Sequence, residues 1–205
     1  MGKITDIQIQ KKNKDRVSIF IDGDFYSGMD LFTKEKHRLK IGSEVDEKIL
    51  AVAVFESECN SAFEKSLSQI NARMRTQKEI LTYLKGKEYS NEIIDSTVQK
   101  LIDYKYIDDT EFCRLYIEAH KGKWGIKKIE FMLKGLGADR YAIDDAMAEF
   151  SETGPQDDTA YNLLIKYKKQ KPLDKNKAYM HLAQKGFSSD TIKMAIAKVL
   201  SEENE

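Results

Sequence analysis

Catalysis needs nucleophiles, acid–base groups or metal ligands at defined spacing, and residues of those types are scattered in this chain. His37, His120 and His181 have no H-E-x-x-H neighbourhood, no partner acid at helical spacing and no cysteine in a ligand pattern. All three are expected to be structural or surface residues. The two cysteines, Cys59 and Cys113, lack metal-ligand spacing and read as buried or incidental thiols of a reducing compartment. Gly122-Lys123-Trp124-Gly125 does not have the G-x-x-x-x-G-K-[ST] arrangement of a phosphate-cradling loop, and no dinucleotide fingerprint follows a strand, so nucleotide hydrolysis is not expected. The acidic pairs Asp108-Asp109, Asp144-Asp145 and Asp157-Asp158 could hold Mg²⁺. Adjacent carboxylates on a helix diverge, however, and the first and last pairs stand where helix caps are wanted, so capping is the expectation. The chain is not expected to be an enzyme, and neither a cofactor nor a metal site is expected.

The remaining chemistry is binding. Basic residues gather in Arg73, Arg75 and Lys78, then in Lys121, Lys123, Lys127 and Lys128 around Trp124, then in Lys166, Lys168, Lys169, Lys171, Lys175 and Lys177. Between Leu163 and Lys185 there are seven lysines and one acid, Asp174. Such clusters fit phosphates or an acidic protein face, and the one Trp offers a stacking face or an interface anchor. Lysines also gather where they complement helix dipoles, and a Trp at a helix corner is at least as often core. Recurrence at three places argues for a directed surface. Lys+Arg 34 against Asp+Glu 34 leaves a formal net charge of zero, so no bulk field draws the chain to nucleic acid or anionic membrane, and affinity must come from clustering. The candidate contact residues are Arg73, Arg75, Lys78, Lys123, Trp124, Lys127, Lys128, Lys169 and Lys171.

A repeat positions these clusters. Leu84, Leu133 and Leu182 are spaced by 49 residues, and the same offset aligns Phe63, Phe112 and Tyr161, Leu67, Tyr116 and Ile165, Ile94, Ile143 and Ile192, and Val98, Met147 and Ile196. Repeats of this length are supersecondary units that stack to bury faces none can bury alone, and they present a long surface to a macromolecule. Three helices fit each copy. Phe63, Leu67, Ile70 and Met74 mark the first, Thr76 caps a second carrying Ile80 and Leu84, and Ser90 caps a third carrying Ile94, Val98, Leu101 and Ile102. Ser90, Asp139 and Ser188 fall together as caps, and Gly86, Gly135, Gly137 and Gly186 lie between second and third helices, where a left-handed residue closes a helix. The basic clusters fall at the junction of first and second helices. Ser151 to Gln156, with Gly154-Pro155, is the expected hinge, and Pro172 opens the second helix of the last copy.

The start of the chain has period two. Ile7 and Ile9, then Val17, Ile19 and Ile21, then Phe25 and Tyr26 read as strands around an Asp22-Gly23 turn, and a short helix fits Asp30 to Leu39. Ser43 with Asp46 forms a capping signature, so a helix through Ile49 to Phe55 is expected to begin there. The fold class is mainly α: an elongated array of three tandem three-helix repeats with a small N-terminal β subdomain. The boundaries are 1–42 for that subdomain, 43–60 for a linking helix, and 61–104, 105–150 and 157–202 for the repeats. The longest apolar run, Ile49 to Phe55, is far short of the roughly 20 residues that cross a bilayer, and Met1 to Lys12 has no signal-peptide core. Cytoplasmic residence without membrane association is expected.

Particular residues also resemble a known family. Ile70-Asn71-Ala72-Arg73-Met74-Arg75-Thr76-Gln77-Lys78-Glu79-Ile80 through Leu84 resembles the L-x-x-R-x-R-S-x-x-E-L-x-x-x-L signature of RecX, the regulator of the RecA recombinase. Ile107-Asp108-Asp109 with Phe112, Cys113, Tyr116 and Ile117 is similar to its I-D-D-x-x-F-A-x-x-Y-[IV], and Ile129, Leu133, Lys134 and Gly135 to its I-x-x-x-L-K-x-G. Thr76 stands for the usual Ser, Glu88 for a common Gly, and Trp124-Gly125 occupies a stretch usually more basic. The resemblance covers roughly residues 60 to 200, with the β segment resembling the N-terminal extension of longer members. It implies a non-catalytic protein of tandem three-helix repeats that binds along the RecA–DNA filament and restrains recombination and ATP turnover; beside that, a monomer is expected, with single- or double-stranded DNA as a further ligand. From the residues alone a direct DNA-binding helical module stays open as the rival, and a metal-dependent nuclease is disfavoured by the missing carboxylate constellation.

Overall fold

The computed structural model describes residues 1–152, 156–169 and 174–202. The chain forms two compact units, Met1–Arg73 with Ile80–Tyr106, and Met74–Glu79 with Ile107–Glu205.

The first unit begins with β1 (Gly2–Ile9), β2 (Arg16–Ile21), β3 (Asp24–Asp30), α1 (Leu31–Lys36) and β4 (Glu44–Val45). The strands form an antiparallel sheet in the order β3-β2-β1-β4. The Asp22-Gly23 turn has both residues at positive φ, 50° and 97°, the geometry whose twist matches that of the flanking strands. Alternation puts Ile4, Val17, Ile19 and Met29 on one buried face, which shares a core with Leu39, Val45, Leu50 and Ala53. Leu50 and Ala53 belong to α2 (Glu47–Ala72), so the sheet face is covered by that helix. Ser57 of the same helix accepts from the Asp30 amide at 2.8 Å. The sheet is therefore packed into the helical part, and the expected boundary after residue 42 runs through a single core.

Two local expectations are corrected. Asp46, not Ser43, is the N-cap of α2, its carboxylate accepting from Lys48 N–H, while Glu44–Val45 between them pairs with β1 as an unforeseen strand. The helix then runs unbroken through residue 60, so the linking helix and the first helix of the first repeat are one. Its buried positions beyond Ser57 are Ala62 and Ser66, where small side chains admit a neighbour closely; Phe63 and Leu67 are half-buried and Met74 is exposed. The first helices do not all keep one buried register: α8 (Asp157–Lys168) buries Ala160 and Leu164, the positions of Ala62 and Ser66, while α5 (Asp109–His120) buries Phe112, Cys113 and Ile117 instead.

Second and third helices do keep it. The second helices are α3 (Gln77–Lys85), α6 (Ile126–Leu136) and α9 (Lys175–Gln184), and they bury Ile80, Ile129 and Ala178, then Leu84, Leu133 and Leu182. The third helices are α4 (Asn91–Asp103), α7 (Arg140–Glu152) and α10 (Ser189–Ser201), and they bury Ile94, Ile143 and Ile192, then Thr97, Ala146 and Ala195. The second unit holds two apolar clusters, one shared by α5, α6 and α7 and one by α8, α9 and α10. Among the described residues no helix is long and apolar enough to cross a membrane.

Caps recur with the core. Ser90, Asp139 and Ser188 each accept amide hydrogen bonds at the start of a third helix. Asp108 caps α5 through Glu111 N–H, but the N-cap of α8 is Gln156, so Asp157 and Asp158 fall in its first turn rather than at its cap. The left-handed residue after the second helix is Gly137 in one copy (φ 74°) and Gly186 in another (φ 87°). At the matching position of the first copy it is Glu88 (φ 62°), not Gly86, and Gly135 lies inside α6. The proposed hinge residues Gly154 and Pro155, and also Pro172, lie outside the described residues.

Candidate functional site

The first turns of the second helices, where the basic residues gather, are built into joints between helix groups. Thr76 Oγ1 accepts from Glu79 N–H at 3.2 Å, and the Glu79 carboxylate accepts from Thr76 N–H at 3.2 Å. This reciprocal box satisfies two amides that a helix start leaves orphaned. The same hydroxyl donates to the Leu136 carbonyl at 2.9 Å, the last residue of α6. Asp109 adds a bridge, one carboxylate oxygen accepting from Gln77 N–H and the other from Asp139 N–H, both at 2.8 Å. In the Asp108-Asp109 pair one acid thus caps its own helix while the other ties the starts of α3 and α7 together.

One repeat further on, the joint recurs at the same offset. Gly125 N–H donates to the Lys185 carbonyl at 2.8 Å, and Lys127 N–H to the Gly186 carbonyl at 3.3 Å. Gln156 Oε1 accepts from Ile126 N–H at 2.8 Å, taking the place of a carboxylate. In both joints the first turn of one second helix meets the left-handed glycine ending the next. The Lys78 stem covers Gly137, and the Lys128 backbone and Cβ cover Gly186. Within the second unit, then, the start of α3 abuts the end of α6, and the start of α6 abuts the end of α9.

The candidate contact residues divide on this frame. Arg73, in the first unit, is the exposed C-cap of α2. Arg75 is half-buried and pairs with Glu79 at 3.6 Å, so it braces the capping box. Lys78 has an exposed head and a packed stem. Lys123 and Lys127 are exposed, on either side of the start of α6. Lys169, the C-cap of α8, is exposed, and Lys171 lies outside the described residues. Trp124 is half-buried against the cluster of α5, α6 and α7 and completes a ladder: Tyr116 stacks on His120 at 4.2 Å, His120 on Trp124 at 4.4 Å, and Lys128 Nζ lies 4.9 Å from the Trp124 ring centre. His120 Nδ1 donates to the Tyr116 carbonyl at 2.7 Å, which fixes the ring. Trp124 is therefore a corner brace with one edge in solvent, and His120 is structural. Lys78, Lys123, Trp124, Lys127 and Lys128 fall in one unit. Asp109 was missed as a joint residue, although its place in the Ile107-Asp108-Asp109 motif was a signal that one cap did not explain.

The nucleophiles offer little. Burial pushes the Cys113 thiol up to about 12, with the Asp109 and Asp139 carboxylates adding to it, and burial likewise raises Cys59. A protonated, buried thiol neither attacks nor ligates. Among the described residues no group of three or more His, Cys, Asp or Glu could hold a metal ion.

Comparison with known proteins places this geometry in a family. Residues 2–46 match the model of the N-terminal domain of regulatory protein RecX, and residues 62–101 match that of the RecX first three-helix domain. The chain is 33% identical to regulatory protein RecX of Bacillus subtilis over 212 aligned positions, covering 100% of this chain and 80% of that protein. It is 30% identical to regulatory protein RecX of Clostridium tetani, covering 98% and 95%. A crystal structure of regulatory protein RecX superposes with a TM-score of 0.70 at 27% identity, over 96% of this chain and 100% of that one. These likenesses, a relative 33% identical across the whole chain and 80% of its own length among them, make the chain a member of the RecX family.

Proposed function

We propose that the protein is a non-catalytic regulator that binds the RecA recombinase–DNA filament and restrains recombination and ATP turnover. Family membership supports a regulatory role. The observation that carries the contact surface is the recurrence of exposed lysines at the starts of successive second helices, Lys78 beside one joint, and Lys123 just before and Lys127 just after the N-cap at the next. In a chain of zero formal net charge this concentrates positive potential on a rigid set of helix starts, suited to the acidic face of a filament subunit or to phosphates beside it. The mechanism asks for no bond making. A rigid series of joints bound across neighbouring subunits adds a contact present in one filament arrangement and absent in another, which shifts the subunits' equilibrium by that difference in affinity. Arg75 and Lys128 act behind the surface, holding the box and the second joint, while Lys123, Lys127 and the head of Lys78 face the partner. The protein works as a monomer in this reading.

Direct binding to DNA is what the test has to separate. The protein is titrated against recombinase filaments on single-stranded DNA and against the same DNA bare, at two salt concentrations. The expected result is clearly tighter binding to the filament with a shallow salt dependence. Equal or tighter binding to bare DNA with a steep salt slope overturns the filament reading and leaves a nucleic-acid-binding protein.

A further inference from the structure

The outward faces of α6 and α9 carry the same pattern at the repeat offset. On α6 the exposed positions are Lys127, Phe131, Lys134 and Gly135; on α9 they are Lys175, Asn176, Lys177, Met180, Ala183 and Gln184, of which Asn176, Met180, Ala183 and Gln184 match the α6 set at the offset. Phe131 is 73% exposed and Met180 57% exposed, and each stands where a solvated helix face calls for a polar residue. Both second helices bury their cores on the opposite side, Ile129 and Leu133 on α6 and Ala178 and Leu182 on α9, so neither exposed side chain is needed for the fold. Because Gly125 and Lys127 at the start of α6 meet Lys185 and Gly186 at the end of α9, the two faces belong to the second helices of successive repeats, which meet start to end.

We propose that Phe131 and Met180 are paired apolar anchors of a protein-docking strip along the second helices, taken up by pockets in an acidic protein surface. The basic flank argues for the sign of the partner: Lys134 and Glu130 offset one another at 2.5 Å, which leaves Lys127 one turn before Phe131, and exposed Lys175 and Lys177 lie in the first turn of α9 before Met180. Exchange of Phe for Met at the matching slot argues for its class. A thioether chain has no ring face on which a base could stack but fills an apolar pocket well, so what the two residues share is burial of volume, the signature of a protein pocket rather than of nucleotides. Gly135 has no atom within 4 Å of where a Cβ would stand, which leaves the face beyond Phe131 open to a close approach. Two equivalent anchors suit a partner that repeats its own surface, as a filament of identical subunits does. The inference rests on the filament reading above and names the side chains that make its contact.

The experiment compares wild type with the Phe131→Ser, Met180→Ser double variant, using the full chain, recombinase filaments on single-stranded DNA, and bare single-stranded DNA. Both residues are exposed, so the melting temperature is expected to stay at the wild-type value, while filament affinity falls roughly tenfold or more, the loss that follows truncation of interface anchors. Affinity for bare DNA is expected not to change. Undiminished filament binding by the folded double variant overturns the proposal, and so does an equal loss on bare DNA, which makes the strip a nucleic-acid face. Failure of wild type to bind filaments at all defeats the functional reading itself, and the docking strip with it.

Discussion

The start of α3 and the start of α6 solve one problem with different chemistry. Each must meet the left-handed turn that ends the next second helix. At the first joint a Thr76 hydroxyl reaches the Leu136 carbonyl and a carboxylate, Asp109, collects two amides. At the second the Gly125 backbone amide itself reaches the Lys185 carbonyl, and a neutral amide oxygen of Gln156 collects one. The first joint has room for a side chain at its N-cap. The second has none, since a Cβ on Gly125 would run into the Gly186 carbonyl and the Phe187 nitrogen. Repeat geometry is thus held by the backbone positions, while the groups that satisfy its polar atoms are interchangeable as long as each amide finds an acceptor.

Exchanging the two N-cap residues is the sharpest way to break that contrast. Gly125→Thr is expected to destabilise the protein by about 3 kcal/mol, because rigid backbone must move to admit the side chain. Thr76→Gly loses only a cap and one carbonyl contact and should cost about 1 kcal/mol. Denaturant melts of both variants measure the difference, and equal losses would mean that the joints are packed alike. The acceptors come next. Asp109→Ala strands two amides and is expected to cost about 2 kcal/mol, against about 1 kcal/mol for Gln156→Ala, which strands one; the reverse order would make Gln156 the weightier bridge.

The smallest effect lies in the sheet-bearing unit, which uses carboxylates at a helix start without a joint. Burial works against ionisation of Asp30, but hydrogen bonds from the Thr33 amide and hydroxyl, with Ser57 and Asn60 beside them, hold its pKa below the usual carboxylate value. A lowered folded-state pKa contributes stability that is complete above the ordinary Asp range near pH 4 and is lost as pH falls through the lowered value. Asp30→Ala is therefore expected to melt less stably at neutral pH by about 1 kcal/mol, with the deficit shrinking in acid. Melts at pH 7 and pH 3 check this; a deficit as large in acid as at neutrality would show that ionisation of Asp30 plays no part.

The offset of 49 residues made the second and third helices legible in the sequence, because Leu84, Leu133 and Leu182, with Ile94, Ile143 and Ile192 on the third helices, are buried at one register, although of the aligned Val98, Met147 and Ile196 only Val98 is. The caps Ser90, Asp139 and Ser188 were legible for the same reason: cap chemistry is local. The first helices were not. Phe63, Phe112 and Tyr161 align, yet only Phe112 is buried, because α2 and α8 bury the neighbouring register, Ala62 with Ser66 and Ala160 with Leu164, and α5 alone turns Phe112, Cys113 and Ile117 inward. The basic clusters were visible as composition, but their division into bracing residues (Arg75, Lys128) and exposed ones (Lys123, Lys127) depends on contacts sixty residues apart in the chain, such as Thr76 with Leu136, which no local pattern encodes. Phe131 and Met180 share a register that the repeat offset contains; what singles them out is that they point away from the core.

The central claim is that exposed lysines at a rigid joint meet a recombinase filament. The most direct measurement is the rate of ATP turnover by RecA filaments on single-stranded DNA, with increasing wild-type protein and, in parallel, with a Lys123→Glu, Lys127→Glu variant whose melting curve is recorded beside it. Neither side chain forms a joint contact, so the variant should melt as wild type does. The predicted result is that wild type slows turnover and the folded variant does not at the same concentrations. A folded variant that inhibits as wild type does would contradict the account.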